Sequence, residues 1–289
     1  MITIFTPTYN RANLLPRLYE SLKKQTSKDF EWLIVDDGST DSTHDLVDEW
    51  IKEGILDVRY YYQENGGKHR AINKGVPLAR GEWFFIVDSD DYLPNNSLEI
   101  ANKWIVTINN DDSFAGVCGV KKDITGNIKH GFKNKFIDKS PLYSLEISKA
   151  DKADIIRTSI LKDFPFPNFP GEYFCAEGLV LCRIGRSYKF RYFNEIIYCY
   201  EYLDDGLTKN SIRNRRQSPT YASLVYKEQM YHKPYMKNKI RAAINFWRFV
   251  WLSKDKHILF DIPYYAYLFL FVGLFLWVKD TILVHKLLV

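Results

Sequence analysis

The sequence predicts an α/β protein, a mostly parallel sheet flanked by helices, with an amphipathic helical extension at its C-terminal end. Three observations carry this. Four apolar runs alternate with helix-period segments over about ninety residues, the signature of βαβ units. Each run ends in a polar loop, so in a right-handed parallel arrangement the four loops share one edge of the sheet. Charge then divides the chain: residues 1–205 carry 26 Lys and Arg against 31 Asp and Glu, whereas 206–289 carry 14 against 4.

Ile2 to Phe5 is the first strand, and TPTYNR at 6–11 the loop after it. Leu14, Leu15, Leu18 and Leu22 recur at helical spacing behind Asn13, read as the N-cap. Trp32 to Val35 is the second strand and runs into Asp36-Asp37-Gly38-Ser39-Thr40-Asp41. Leu46, Val47, Trp50 and Ile51 mark a helix closed by Gly54. Val58 to Tyr62 is the third strand, followed by Asn65-Gly66-Gly67-Lys68-His69-Arg70 and a short helix through Asn73 to Gly75.

The stretch Glu82 to Asp91, EWFFIVDSDD, runs five apolar residues straight into Asp88, Asp90 and Asp91. A continuous apolar run reads as a central strand buried on both faces, which puts the acidic cluster at its carboxyl end. Ligands of open α/β sheets bind there. Carboxylates this close repel, and Asp-x-Asp suits one hard, oxygen-seeking divalent ion. Taken alone so short a motif also describes an idle, solvated acidic loop.

Beyond it, Leu98 to Ile108 is a helix, Phe114 to Val120 a strand, and 121–152 shows no strong period. The run from Phe164 to Gly171, FPFPNFPG, is a rigid aromatic loop that cannot be helix, and it delivers Glu172 and Glu177. Gly178 to Ile184 reads as helix and Phe190 to Tyr202 as aromatic strand material. In the tail, Ile240 to Trp251 is an amphipathic helix. Tyr264 to Val278 then holds 15 residues without a charge, short of the roughly 20 that span a bilayer. Flanking lysines with Tyr and Trp favour a helix lying in a membrane surface, a spanning helix, dimer packing and ordinary core being the alternatives.

With 289 residues, 46% hydrophobic and 26% charged, the chain belongs to no disordered class and has material for one large or two modest domains. Cys118, Cys175, Cys182 and Cys199 form no Cys-x-x-Cys pair and no zinc spacing, which points to reduced thiols in a reducing compartment. The opening MITIFTPTYN is already strand and turn, so no signal peptide is expected. The basic tail implies an anionic partner, a membrane surface or a phosphorylated ligand, and nucleic acid is disfavoured because no nucleic-acid-binding motif appears.

TPTYNR at 6–11, VDDGSTD at 35–41, NGGKHRAINKG at 65–75, ARGEWFFIVDSDD at 79–91 and, more loosely, PGEYFCAE at 170–177 together resemble the inverting, nucleotide-sugar-dependent glycosyltransferases of family 2. The resemblance covers residues 1–205 and implies a GT-A fold with a Rossmann-like sheet. It implies a nucleotide-sugar-binding half at 1–95 and an acceptor-binding half at 96–205, which makes 121–152 an acceptor-side insertion; the basic, aromatic composition of 206–289 makes that region the expected membrane-associated one. It puts Asp37 on the N–H of a uracil, Thr6 and Pro7 on the nucleotide through the backbone, and Tyr9 beside the base. Arg11 meets a phosphate or caps the loop, and Asp36 orders it. Lys68 and Arg70 offer cations to the diphosphate, the choice among Lys68, His69 and Arg70 staying open. Asp88 meets ribose or an outer-shell water of the metal, Asp90 ligates Mn²⁺ or Mg²⁺, Asn73 and Ser89 complete the donor set, and Asp91 is a third carboxylate that either joins them or caps the next turn. The family's base usually stands in an Asp/Glu-Asp pair, where this chain has Ala176-Glu177-Gly178. Glu177 is therefore the expected base and Glu172 the alternative.

The implied partners are a nucleotide-sugar donor, a glycan or lipid-linked acceptor, the inner face of the cell membrane and, as an open case, a second copy of the chain. Two rival functions compete with this one. Phosphoryl transfer through LIVDDGST needs Asp-x-Asp before Gly-Thr, and here the acidic pair is adjacent. A membrane-tethered nucleotide-sugar-binding module would keep every donor residue and lose only the base.

Overall fold

The computed structural model describes residues 1–128, 134–143, 152–201 and 210–286, with side chains described to 282. Strands β1 (Ile2–Thr8), β2 (Phe30–Asp36), β3 (Val58–Tyr62) and β4 (Trp83–Ile86) are parallel and lie in the order β3-β2-β1-β4. Helices α1 (Leu15–Lys23), α2 (Thr43–Glu53) and α3 (Lys68–Leu78) connect them. Every residue of β1 and β2 is buried, as a strand covered on both faces requires.

Alternation along the strands feeds two cores. Ile2, Ile4, Trp32 and Ile34 pack with Leu15, Leu18 and Leu22 of α1 and Val47 and Trp50 of α2. Phe5, Leu33 and Val35 pack on the other face with Ala71, Ile72 and Val76 of α3. Two boundaries differ from expectation. Leu14, not Asn13, stands at the start of α1, and no side chain caps it. Helix α3 begins at Lys68 and runs to Leu78, longer than the apolar spacing suggested.

The second half adds α4 (Ser97–Val106), β5 (Phe114–Asp123), β6 (Phe136–Lys139), β7 (Lys152–Arg157), α5 (Thr158–Asp163), α6 (Gly178–Ile184) and β8 (Lys189–Tyr200). Among the described residues the sheet has eight strands, β3-β2-β1-β4-β7-β5-β8-β6. Strand β7 lies antiparallel between β4 and β5, directly beside the acidic turn. Neither β6 nor β7 announced itself, since β6 is an exposed edge and β7 is short and opens with charges. Residues 129–133 and 144–151 of the aperiodic insertion lie outside the described residues.

The tail forms α7 (Ser211–Gln217), α8 (Pro219–His232), α9 (Met236–Phe249) and α10 (Leu270–Lys286). Helix α8 buries Tyr221 and Val225 against the sheet's second core, while Met230 joins Phe246, Trp247, Val250 and Ala266 in a third. The helical stretch Tyr264–Ile282, 19 residues, is long and apolar enough to cross a membrane by length and composition. The sequence reading stopped at Lys279 and so found it short. The segment Asp205-Gly206-Leu207-Thr208 lies outside the described residues.

Candidate active site

The carboxyl ends of β1, β2 and β4 and the start of α3 converge on one edge, as parallel strands require. The first two loops brace each other: Ser39 Oγ accepts from the Asn10 N–H at 2.8 Å, and Asn10 Oδ1 accepts from the Thr40 N–H at 2.7 Å. Asp36 orders its loop as expected, taking the Ser39 N–H on Oδ1 and the Tyr60 hydroxyl on Oδ2.

Asp37 is buried and reaches the glycine loop. Its Oδ1 accepts from Gln63 Nε2 (2.7 Å) and Gly66 N–H (2.9 Å), and its Oδ2 from Gly67 N–H (2.7 Å). Oδ2 thus keeps acceptor capacity for a ligand donor. Gly67 holds φ 93° and caps α3. A Cβ there would sit 2.0 Å from the Tyr173 carbonyl oxygen, so only glycine lets the aromatic loop approach.

Lys68, the first residue of α3, makes the connection that organises the site. Its Nζ lies 2.5 Å from Asp88 Oδ1 and 2.6 Å from Glu177 Oε1. Burial pulls the ammonium pKa down, but the two carboxylates more than offset this and raise it, so Lys68 is charged. Burial likewise works against ionised Asp88, and Lys68 with Lys121 outweighs it and holds that carboxyl low.

Asp88, Asp90 and Asp91 place one oxygen each within 4.8 Å of one another. Burial, then Asp88, raises Asp90, which Lys68 and Arg11 pull back. Burial, then Asp88 and Asp90, pushes Asp91 up to about 7. Asp91 is committed inward: Oδ2 accepts from the Tyr198 hydroxyl at 2.7 Å and Oδ1 from the Glu201 N–H at 3.1 Å. Tyr198 also accepts from the Asp88 N–H at 3.0 Å, and Arg17 donates to the Asp90 carbonyl, so this turn is held from β8 and α1. The donor set therefore suits a hard divalent cation at Asp90 with Asp88 beside it, Asp91 serving as the anchor.

The other expected residues sort by geometry. Thr6 is fully buried, its Oγ1 accepting from Trp32 Nε1 at 2.9 Å, so only its backbone faces the edge, and Pro7 and Ser89 are buried too. Tyr9 is about half exposed on the open loop. Asn73 departs from expectation: its amide bonds both the N–H and the carbonyl of Phe166, which makes it a brace for the aromatic loop. Arg70 is bound to Gly66 O, Asn168 Oδ1 and Phe169 O, again a brace. His69 is buried on the Tyr221 hydroxyl at 2.9 Å.

Glu172, the alternative base, is committed to the protein. It is buried, and its two oxygens accept from Thr220 N–H (2.9 Å) and Tyr221 N–H (3.0 Å) at the start of α8. Glu177 stands at the N-terminal end of α6 with its side chain 43% exposed, open to an incoming group. Sequence reasoning missed Arg17, Lys121, Asp154 and Tyr198, because each reaches the site from an element distant in sequence; alternation along the aromatic strand β8 was the one available signal, for Tyr198.

This sheet, four parallel strands continued by a mixed half and flanked by helices, has the GT-A fold of glycosyltransferases. The glycosyl transferase family 2 profile matches residues 3–164, and the chain belongs to that family. It is 39% identical over 100 residues to glycosyltransferase GlyG of Streptococcus pneumoniae, 34% of this chain and 33% of that protein. It is 32% identical over 177 residues to the poly(ribitol-phosphate) β-N-acetylglucosaminyltransferase TarS of Staphylococcus aureus, 61% of this chain and 30% of that one. The matched region is thus about a third of each of these relatives. Among solved structures, the TarS fragment with UDP-GlcNAc superposes with a TM-score of 0.65 at 20% identity, covering 94% of this chain and 79% of that one. A mannosyltransferase from Pyrobaculum calidifontis with GDP-Man and Mn²⁺ gives 0.59 at 16%, covering 95% and 84%.

Proposed function

We propose that this protein transfers a sugar, with inversion, from a UDP-sugar to a hydroxyl of a glycan or lipid-linked oligosaccharide in the assembly of a bacterial surface polysaccharide. The observation that carries it is the ammonium of Lys68 held between Asp88 and Glu177, which sets the donor aspartate and the base side by side. The names of GlyG and TarS and the UDP-GlcNAc complex support the substrate class.

In this reading, residues 1–95 hold the donor and 96–205 the acceptor. Asp37 Oδ2 takes the uracil N–H, Tyr9 lines the base, Asp88 meets ribose and Arg11 meets a phosphate. Lys68 at the start of α3 meets the diphosphate where helix-end N–H groups favour anions. Drawing Lys68 towards the diphosphate frees Glu177 to take the acceptor proton as the new bond forms at C1 and the nucleoside diphosphate leaves on the opposite side. Mn²⁺ or Mg²⁺ at Asp90, when bound, supplies charge for the leaving diphosphate.

Residues 206–289 serve as a peripheral anchor on the inner face of the cell membrane. Tyr264, Leu268, Phe271 and Phe275 follow helical spacing and are 94%, 78%, 79% and 67% exposed, forming one apolar stripe. Asp280 is turned away from it into a bidentate pair with Arg248 at 2.6 and 2.8 Å. That pair, and the packing of Gly273 on Trp247, favour a helix lying in the surface over one that spans. A second copy of the chain is the competing occupant of the stripe.

UDP with Mn²⁺ should stabilise the wild type against heat, by about 2.7 kcal/mol at a hundredfold excess over Kd. Asp90→Asn should keep the shift due to UDP alone and lose the increment due to Mn²⁺. An unchanged increment contradicts the metal assignment.

A further inference from the structure

Beside Asp88 and Glu177, on the sheet face that carries α3, α5 and α6, lies a cavity of about 60 Å³. At about 10–15 Å³ per water-sized group it has room for about four to six such groups. Close-packed interiors leave few voids of this size. Its floor is apolar, formed by Ile72 of α3, Phe84 and Ile86 of β4, Ile156 of β7 and Val180 of α6. Its polar lining is Lys68, Asp88 and Glu177 of the site itself on one side and Asp154 of β7 with Lys121 and Lys152 on the other.

That lining narrows the occupant. Bare sugar hydroxyls would lose hydration against the apolar floor without recovering it. A methyl group would gain there, provided a polar unit joins it to the sugar. Asp154 offers an acceptor to an N–H. Lys121 and Lys152 offer donors. A neutral group with one N–H, one carbonyl and one methyl satisfies all three walls, and an acetamido group has four heavy atoms, within the space available.

Position does the rest. In the transfer reading above, on which this inference rests, Asp88 marks the nucleotide side of the donor and Glu177 the acceptor side of C1, so a cavity touching both opens beside the sugar at C1; of the two ring atoms next to C1 only C2 carries a substituent. We propose that this cavity seats the 2-acetamido group of the donor sugar, with Asp154 accepting its N–H and the Lys121–Lys152 pair donating to its carbonyl, so that the donor is a UDP-N-acetylhexosamine and not a plain UDP-hexose.

The test has two stages. Binding of UDP alone, followed by thermal shift, reads the donor site without the cavity. Then UDP-GlcNAc, UDP-GalNAc, UDP-Glc and UDP-Gal are compared by binding and by UDP release, in the wild type, in Val180→Phe, which fills the cavity, and in the near-isosteric Asp154→Asn, which keeps the fold if the larger side chain does not. The wild type should favour an N-acetylated donor over its plain counterpart by about tenfold or more, and both variants should collapse that ratio towards one. Equal or better binding of plain hexose donors by the wild type, or an unchanged ratio in both variants, overturns the proposal while intact UDP binding leaves the donor reading standing. Failure of UDP itself to bind overturns both.

Discussion

Along the sheet edge of residues 1–95 polar side chains turn towards one another, whereas in the tail apolar side chains turn outwards. Asp36, Asp37 and Asp91 each have both carboxylate oxygens occupied by protein donors. In the tail Phe271 and Phe275 face solvent while Asp280 is buried on Arg248. The first pattern fixes geometry in advance of a ligand, since every group that positions another is itself held. The second leaves an adhesive surface whose energy is realised only on contact. The two meet at the start of α8: Glu172 holds its first N–H groups, and Tyr221 accepts from the Phe169 N–H and contacts His69 of α3. The tail thus braces the aromatic loop that carries Glu177.

The largest effect that separates the two regions should come from the stripe. Each buried Phe contributes about 1.5–3 kcal/mol, so Phe271→Ser with Phe275→Ser should weaken partitioning onto anionic phospholipid vesicles about a hundredfold or more. UDP-dependent stabilisation should not change. Equal partitioning would break the division of labour, and a concentration-dependent dimer lost in the double variant would reassign the stripe to a second copy.

A smaller effect tests the joint between the regions. Burial, with Arg70 nearby, depresses His69 to about 4 from its ordinary 6.5. The folded state therefore binds fewer protons than the unfolded one between those values. Stability contributed by neutral His69 is complete above pH 6.5 and is lost as pH falls towards 4, by about 3 kcal/mol if the full shift is expressed. His69→Asn should be less stable at pH 7 yet show a flatter decline in urea midpoint over that window. Parallel declines would mean that His69 is not the buried joint.

Legibility followed the same division. The four parallel strands, their loops and the placement of Asp37 and Asp88 at strand ends could be read because apolar runs and their polar termini are local signals. What escaped was carried by contacts across the fold. Asn73 and Glu172 have the right chemistry for a ligand, and only the structure shows them committed to Phe166 and to α8. Strand β7, with Asp154, was hidden because a six-residue strand beginning Lys-Ala-Asp has no clean alternation. Helix α8 was missed because it is buried on several sides and so lacks one apolar stripe.

The central claim is that Glu177 is the base on the far side of Lys68, and Glu177→Gln tests it most directly. Sugar transfer, read as acceptor-dependent UDP release in the presence of Mn²⁺, should fall by about 10²–10⁴-fold while the affinity for UDP stays within a factor of a few. Full transfer by the variant, with UDP binding intact, would contradict the account.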